Sequence, residues 1–141
     1  MKSPQWTPNQ RLAIETVGRD VLVSASAGTG KTAVLAQRCA QRVLDERRPV
    51  DVDRLLVLTY TDAAAEEMRS RIDRTLRGLC RGPGAGALRR QLLLLDASWI
   101  STFHSFCRRG IAGHFYLLDL SPRFSVIDPG QRQLLPALAL I

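Results

Sequence analysis

The eight residues Ala25-Ser26-Ala27-Gly28-Thr29-Gly30-Lys31-Thr32 have the types and order that phosphate chemistry requires. Successive backbone N–H groups of such a loop wrap phosphate oxygens, and the helix that follows adds the positive end of its dipole. Gly28 and Gly30 permit backbone conformations and a close approach that a Cβ would block. Lys31 has the reach and charge for the outer phosphates of a nucleoside triphosphate, and the Thr32 hydroxyl is a ligand for Mg²⁺. The pattern G-x-x-x-x-G-K-[ST] departs at its first position, where Ala25 stands in place of glycine. Alanine is small enough for the turn, so this is a subtype. The chain has only two lysines, Lys2 and Lys31, against a large arginine excess, which argues against drift at this position.

Two further segments carry hydroxyls and an aromatic where a strand gives way to a helix. The first is Thr59-Tyr60-Thr61-Asp62, followed by Ala63-Ala64-Ala65-Glu66-Glu67-Met68. Ligands of open α/β sheets gather at such carboxyl edges. Threonine hydroxyls there can hold a phosphate while an exposed ring stacks a base, worth about 1–3 kcal/mol per base. The alternative is that Tyr60 fills the core and the threonines cap a helix. The second segment, Ser101-Thr102-Phe103-His104-Ser105-Phe106, repeats the design and is followed by Arg108-Arg109. His104 beside a helix start is by itself a structural residue more often than a catalyst. Two such edges on one sheet carry more weight than either alone.

The elements that must position these residues alternate. Thr7-Pro8 is an N-cap and first-turn proline, which predicts a helix over residues 7–17 stopped by Gly18. Val21-Leu22-Val23 is a short apolar run suited to a buried parallel strand ahead of the loop. Ala33-Val34-Leu35-Ala36 opens a second helix, predicted to end near Arg47-Arg48-Pro49. Leu55-Leu56-Val57-Leu58, within residues 54–60, reads as a strand buried on both faces, and Asp62 as the cap of a helix running to residue 79. A Gly/Pro loop over residues 82–86 breaks the chain. A helix over 87–95 then leads to a strand at 99–101, a helix over 103–116, a strand Phe124-Ser125-Val126-Ile127 and a helix from Gln131. Leu92-Leu93-Leu94-Leu95-Asp96 imitates a strand ending in a metal-binding aspartate, but the leucine spacing and the following Ala97 favour a helix. Strand–helix alternation predicts an α/β fold with a parallel sheet flanked by helices.

A chain of 141 residues suits one domain, and its 45% hydrophobic and 23% charged content is ordinary for a globular protein. No apolar run approaches the roughly 20 residues that cross a bilayer. Met1-Lys2-Ser3-Pro4 lacks a signal-peptide core, which predicts a cytoplasmic protein with no membrane association. Cys39, Cys80 and Cys107 are odd in number and widely spaced, so they offer no disulfide framework and no zinc or iron–sulfur pattern. A net charge of +7 and a pI near 10.3 fit a polyanionic partner, although a solvated arginine face would give the same numbers.

Taken in order, Trp6-Thr7-Pro8-Asn9-Gln10, the Ala-Gly-Thr-Gly-Lys-Thr loop, the Leu58–Met68 segment and Ile100-Ser101-Thr102-Phe103-His104-Ser105-Phe106 resemble the opening of a UvrD-like superfamily 1 DNA helicase motor. Val50-Asp51-Val52-Asp53-Arg54-Leu55-Leu56 and His114-Phe115-Tyr116-Leu117-Leu118-Asp119-Leu120 are most similar to the AddA helicase/nuclease branch, with RecB-like, UvrD, Rep and PcrA proteins as neighbours. The resemblance implies a RecA-like P-loop NTPase domain, of which residues 1–141 are the first part of motor domain 1A. It implies ATP and Mg²⁺ as cofactors, 3'-5' unwinding, single- and double-stranded DNA as substrate, double-strand break repair and recombination as the setting, and an AddB-like partner. Gln10 would then hydrogen-bond the adenine edge, its planar amide having both donor and acceptor. Ala25, Ser26, Ala27, Gly28, Thr29, Gly30, Lys31 and Thr32 would hold ATP, with Lys31 and Thr32 catalytic and Thr32 on Mg²⁺. Thr59, Tyr60, Thr61, Thr102, Phe103, His104 and Ser105 would line the DNA path. Tyr60 replaces the usual phenylalanine, and Asp62 replaces an asparagine, which argues against DNA contact at that position.

Helicase chemistry also needs carboxylates that hold Mg²⁺ and an arginine from a second motor domain. The sequence supplies neither, and it stops within a helical pattern at Leu138-Ala139-Leu140-Ile141. The expectation is an N-terminal piece of a longer protein that by itself neither hydrolyses ATP nor unwinds DNA. A small kinase or GTPase-like switch, and a non-catalytic nucleotide- or DNA-binding remnant, are the competing readings.

Overall fold

The computed structural model describes residues 5–79 and 85–127, and the chain divides into two compact units, Met1–Phe103 and His104–Ile141. In the first unit, helix α1 (Pro8–Glu15) starts where the sequence places it. The Thr7 hydroxyl accepts the Gln10 N–H at 3.3 Å and the Gln10 side chain accepts the Thr7 N–H at 2.9 Å. This reciprocal box satisfies two N–H groups that a helix start leaves over. The helix ends two residues earlier than expected, and Gly18 follows with φ 73°.

Helix α2 (Lys31–Val43) starts on Gly30 and buries Val34, Ala36, Cys39, Ala40 and Val43. It stops short of the expected Arg47-Arg48-Pro49. The Asp45 carboxylate accepts the N–H groups of Arg47 and Arg48 at 2.9 and 3.0 Å and pairs with Arg42 at 2.6 Å, which folds the chain into a turn. Those N–H groups and that arginine hold Asp45 below the usual carboxylate range. A 3₁₀ turn (Val52–Arg54) leads into strand β1 (Leu56–Thr59), which is shorter than residues 54–60. Helix α3 (Asp62–Leu79) follows, and its cap is Thr61 rather than Asp62: the Thr61 hydroxyl accepts the Ala64 N–H at 3.1 Å. Helix α4 (Ala85–Leu94) already contains Ala85 and Gly86, so the expected 82–86 loop ends before them, and residues 82–84 lie outside the described residues. The leucine run is helical, passing into a 3₁₀ turn (Leu95–Ala97) before strand β2 (Trp99–Thr102).

Strands β1 and β2 pair in parallel, with Leu56 opposite Trp99, Val57 opposite Ile100, Leu58 opposite Ser101 and Thr59 opposite Thr102. Helices flank this sheet in the α/β arrangement of a partial RecA-like P-loop domain. The core gathers Ala36, Cys39, Ala40 and Val43 of α2, Val57 and Ile100 of the strands, and Met68, Ile72 and Leu76 of α3. The last three recur every fourth residue, which stacks them on one helix face. Within this core, burial pushes the Cys39 thiol up to about 11, leaving it neutral. Gln91 enters the core satisfied, accepting the Val52 N–H at 2.9 Å and donating to Asp51 at 2.6 Å.

Two strand expectations in the first unit need correction. β1 is buried on one face only, since Val57 is covered while Leu56 and Leu58 are exposed. Val21-Leu22-Val23 joins no ladder among the described residues, and Leu22 is 98% exposed. An apolar run becomes a strand only when a neighbour supplies hydrogen bonds, and the described sheet contains β1 and β2 alone.

In the second unit, helix α5, which spans Phe103–Gly113, is followed by a 3₁₀ turn (Phe115–Leu118), so the single helix expected over 103–116 is divided. Asp119 takes a left-handed φ of 50° after that turn. Phe124 to Ile127 forms no strand: the Phe124 N–H turns back to the Ser121 carbonyl at 3.0 Å. The helix expected from Gln131, like Cys80, lies outside the described residues.

Candidate nucleotide site and nucleic-acid edge

The loop ahead of α2 is shaped by its own small groups. Gly28 and Gly30 take φ 77° and 84°, left-handed values that an L side chain rarely adopts. The Thr29 hydroxyl donates to the Ser26 carbonyl at 2.8 Å, closing the turn. The Lys31 ammonium lies across the loop on the carbonyls of Ala25 and Ser26 at 2.7 and 2.6 Å, which holds the solvent-exposed cation at the loop. Gly30 serves as N-cap of α2 with no side-chain cap, and no acidic residue occupies the first turn. Capping side chains and carboxylates are the usual competitors for an anion at a helix start, and this one has neither. With Thr32 in that first turn, the donor set fits a Mg²⁺-bound polyphosphate.

Gln10 joins this loop to α1. Its Nε2 donates to the Thr29 carbonyl at 3.2 Å while its Oε1 holds the Thr7 N–H. On the far end of α1, the Arg38 guanidinium of α2 donates to the Ala13 carbonyl at 2.6 Å. Arg38 carries no signal in the sequence, because nothing local marks an arginine that terminates a neighbouring helix. A cleft of ≈ 790 Å³ runs between α1 and residues 19–25, with Gln10, Thr29 and Lys31 on its walls. Its volume lies within the range of small-molecule sites.

The second candidate region stands at the strand ends. Because Thr59 and Thr102 are register partners, Tyr60 and Phe103 follow adjacent parallel strands at the same level. Tyr60 is 102% exposed and Phe103 60%, so the core-filling alternative for Tyr60 does not hold. The threonines are engaged internally. Thr59 donates to the Thr61 carbonyl at 3.0 Å, Thr61 caps α3, and Thr102 is buried. Thr59 and Thr61 set the geometry of the turn that presents Tyr60. Arg69, which belongs to no sequence motif, donates to the Ile100 carbonyl at 3.0 Å and ties α3 to β2. In the second unit, His104 is exposed and Ser105 half-buried on α5.

Among the described residues no cluster of three His, Cys, Asp or Glu could hold a metal, and no described helix is long and apolar enough to cross a membrane.

With a phosphate-type loop on α2 and two parallel strand ends bearing aromatics, the chain matches the UvrD/REP helicase N-terminal domain over residues 6–139, and it belongs to that family. Within the family it is similar to the AddA protein of the ATP-dependent helicase/nuclease from Bacillus mycoides (strain KBAB4), with 50% identity over 132 residues, 93% of this chain. The proteins of the same name from Bacillus anthracis and Bacillus cereus (strain AH187) are 49% identical over the same share. The chain spans 11% of the length of each of these relatives.

Proposed function

We propose that this chain is the ATP-binding front portion of an ATP-dependent DNA helicase of the AddA helicase/nuclease kind, acting in double-strand break repair and recombination. The observation that carries the reading is the Lys31 ammonium held on the Ala25 and Ser26 carbonyls at an α2 start without a side-chain cap. In this reading Lys31 neutralises the outer phosphates, the amides of Ser26 to Thr32 wrap them, and the Thr32 hydroxyl ligates Mg²⁺. Gln10 retains one N–H and one lone pair beyond its internal bonds, which suits an adenine edge. Bound Mg²⁺ screens the phosphate charge and supplies the Lewis acid for hydrolysis.

Tyr60 and Phe103 are the stacking platform for unpaired DNA, and Thr59, Thr61 and Thr102 hold that platform in place. His104 and Ser105 are further DNA contacts, and the +7 net charge attracts the phosphate backbone. A kinase or switch built on the same loop would leave the paired aromatic edges without a role. The carboxylates and arginine that complete hydrolysis come, in this reading, from elsewhere in a full-length parent that pairs with an AddB-like protein in the cytoplasm. Calorimetric titration with Mg·ATP tests the site: saturable binding is expected, and a flat titration of the full-length parent overturns the reading.

A further inference from the structure

Helix α1 has eight residues, fewer than a helix needs to hold itself in water, so its position depends on what it is tied to. One tie is the Arg38 guanidinium on its last carbonyls, at 2.6 Å from that of Ala13 and 3.5 Å from that of Ile14. The other is the Gln10 amide, which bonds the Thr7 N–H on one side and the Thr29 carbonyl on the other. Gln10 Nε2 lies 3.6 Å from where a Cβ on Gly30 would sit, so the amide rests directly over the loop. The Thr29–Gly30 peptide is trans and planar, so tying its carbonyl to α1 turns the Gly30 N–H to the opposite side, away from α1.

We infer that Gln10 is a positioning residue for the phosphate loop itself, through its bond to the Thr29 carbonyl and whether or not a base is present. The inference rests on the nucleotide-binding reading and adds to it a contribution from Gln10 that inorganic polyphosphate should feel. The Thr7 N–H fixes one end of the amide, α1 is anchored by Arg38, and the loop is held from outside.

The test titrates the full chain with Mg·ATP and with Mg²⁺ plus inorganic tripolyphosphate, which has no base. Gln10→Met keeps the side-chain length and removes both hydrogen bonds. It is expected to weaken tripolyphosphate by roughly 3- to 10-fold, as for a single neutral hydrogen bond, and ATP by at least that factor because the adenine contact goes as well. Thr7→Ala removes the cap hydroxyl but not the Gln10–Thr29 bond, and should leave tripolyphosphate affinity unchanged. A Gln10→Met chain that loses ATP affinity yet binds tripolyphosphate like wild type overturns the inference, making Gln10 a base reader only. An equal loss in Thr7→Ala also overturns it, because the effect would then belong to helix integrity. A wild-type chain that binds neither ligand refutes the nucleotide reading itself, an outcome distinct from both.

Discussion

At the scale of single residues, the roles proposed for two side chains can be separated from their part in folding. The Lys31 ammonium is held on two loop carbonyls. Lys31→Ala should lower Mg·ATP affinity by roughly 10- to 100-fold, matching the about 1.5–3 kcal/mol of a hydrogen bond to a charged group. Calorimetry reads this, and an affinity equal to wild type would remove Lys31 from the site. Tyr60 is 102% exposed, so its ring contributes no burial to stability. Tyr60→Ala should therefore leave the melting temperature unchanged while weakening single-stranded DNA binding by about 1–3 kcal/mol, and Tyr60→Phe should keep most of that affinity. Fluorescence anisotropy with a labelled oligonucleotide distinguishes these outcomes.

At the scale of elements, α3 is the main buttress of the sheet. Ile72 is 0% exposed between α2 and the strands, so Ile72→Ala should cost about 2–5 kcal/mol in denaturant unfolding. The Thr61 cap is a smaller contributor: Thr61→Ala should cost about 1 kcal/mol, because it leaves the Ala64 N–H without its partner. The junction of the 3₁₀ turn with α4 gives a pH dependence. Gln91 and then Arg90 hydrogen-bond the Asp51 carboxylate and hold it below its ordinary 3.8. A depressed carboxylate adds stability that is present above that ordinary value and is lost as pH falls through the folded one. Asp51→Asn should flatten the acid limb of a stability–pH curve below about pH 4, with little change in its slope at neutral pH. An acid limb identical to wild type would show that Asp51 takes no part in it.

At the scale of the whole molecule, charge and coverage matter more than any one contact. The chain spans 11% of the length of its helicase/nuclease relatives. The 141-residue chain is therefore expected to bind nucleotide while showing ATP hydrolysis indistinguishable from a Lys31→Ala control, with or without DNA. A phosphate-release assay checks this, and DNA-stimulated turnover would contradict it. The net charge of +7 predicts that DNA affinity falls steeply with added salt.

Local sequence was enough to determine the features that depend on neighbours a few residues apart. The Thr7 N-cap of α1, the left-handed glycines of the loop and the helical leucine run are of this kind. Each follows from a backbone preference or a hydrogen bond spanning three or four positions. Only the tertiary structure decided which residues meet across the chain. It set the parallel register that levels Thr59 with Thr102, the guanidinium of Arg38 on α1, and the engagement of Gln10 with Thr29. It also left Val21-Leu22-Val23 outside any described ladder, although the apolar pattern reads as a strand. A pattern records which side chains avoid water, whereas a sheet exists only where a second backbone arrives to complete its hydrogen bonds.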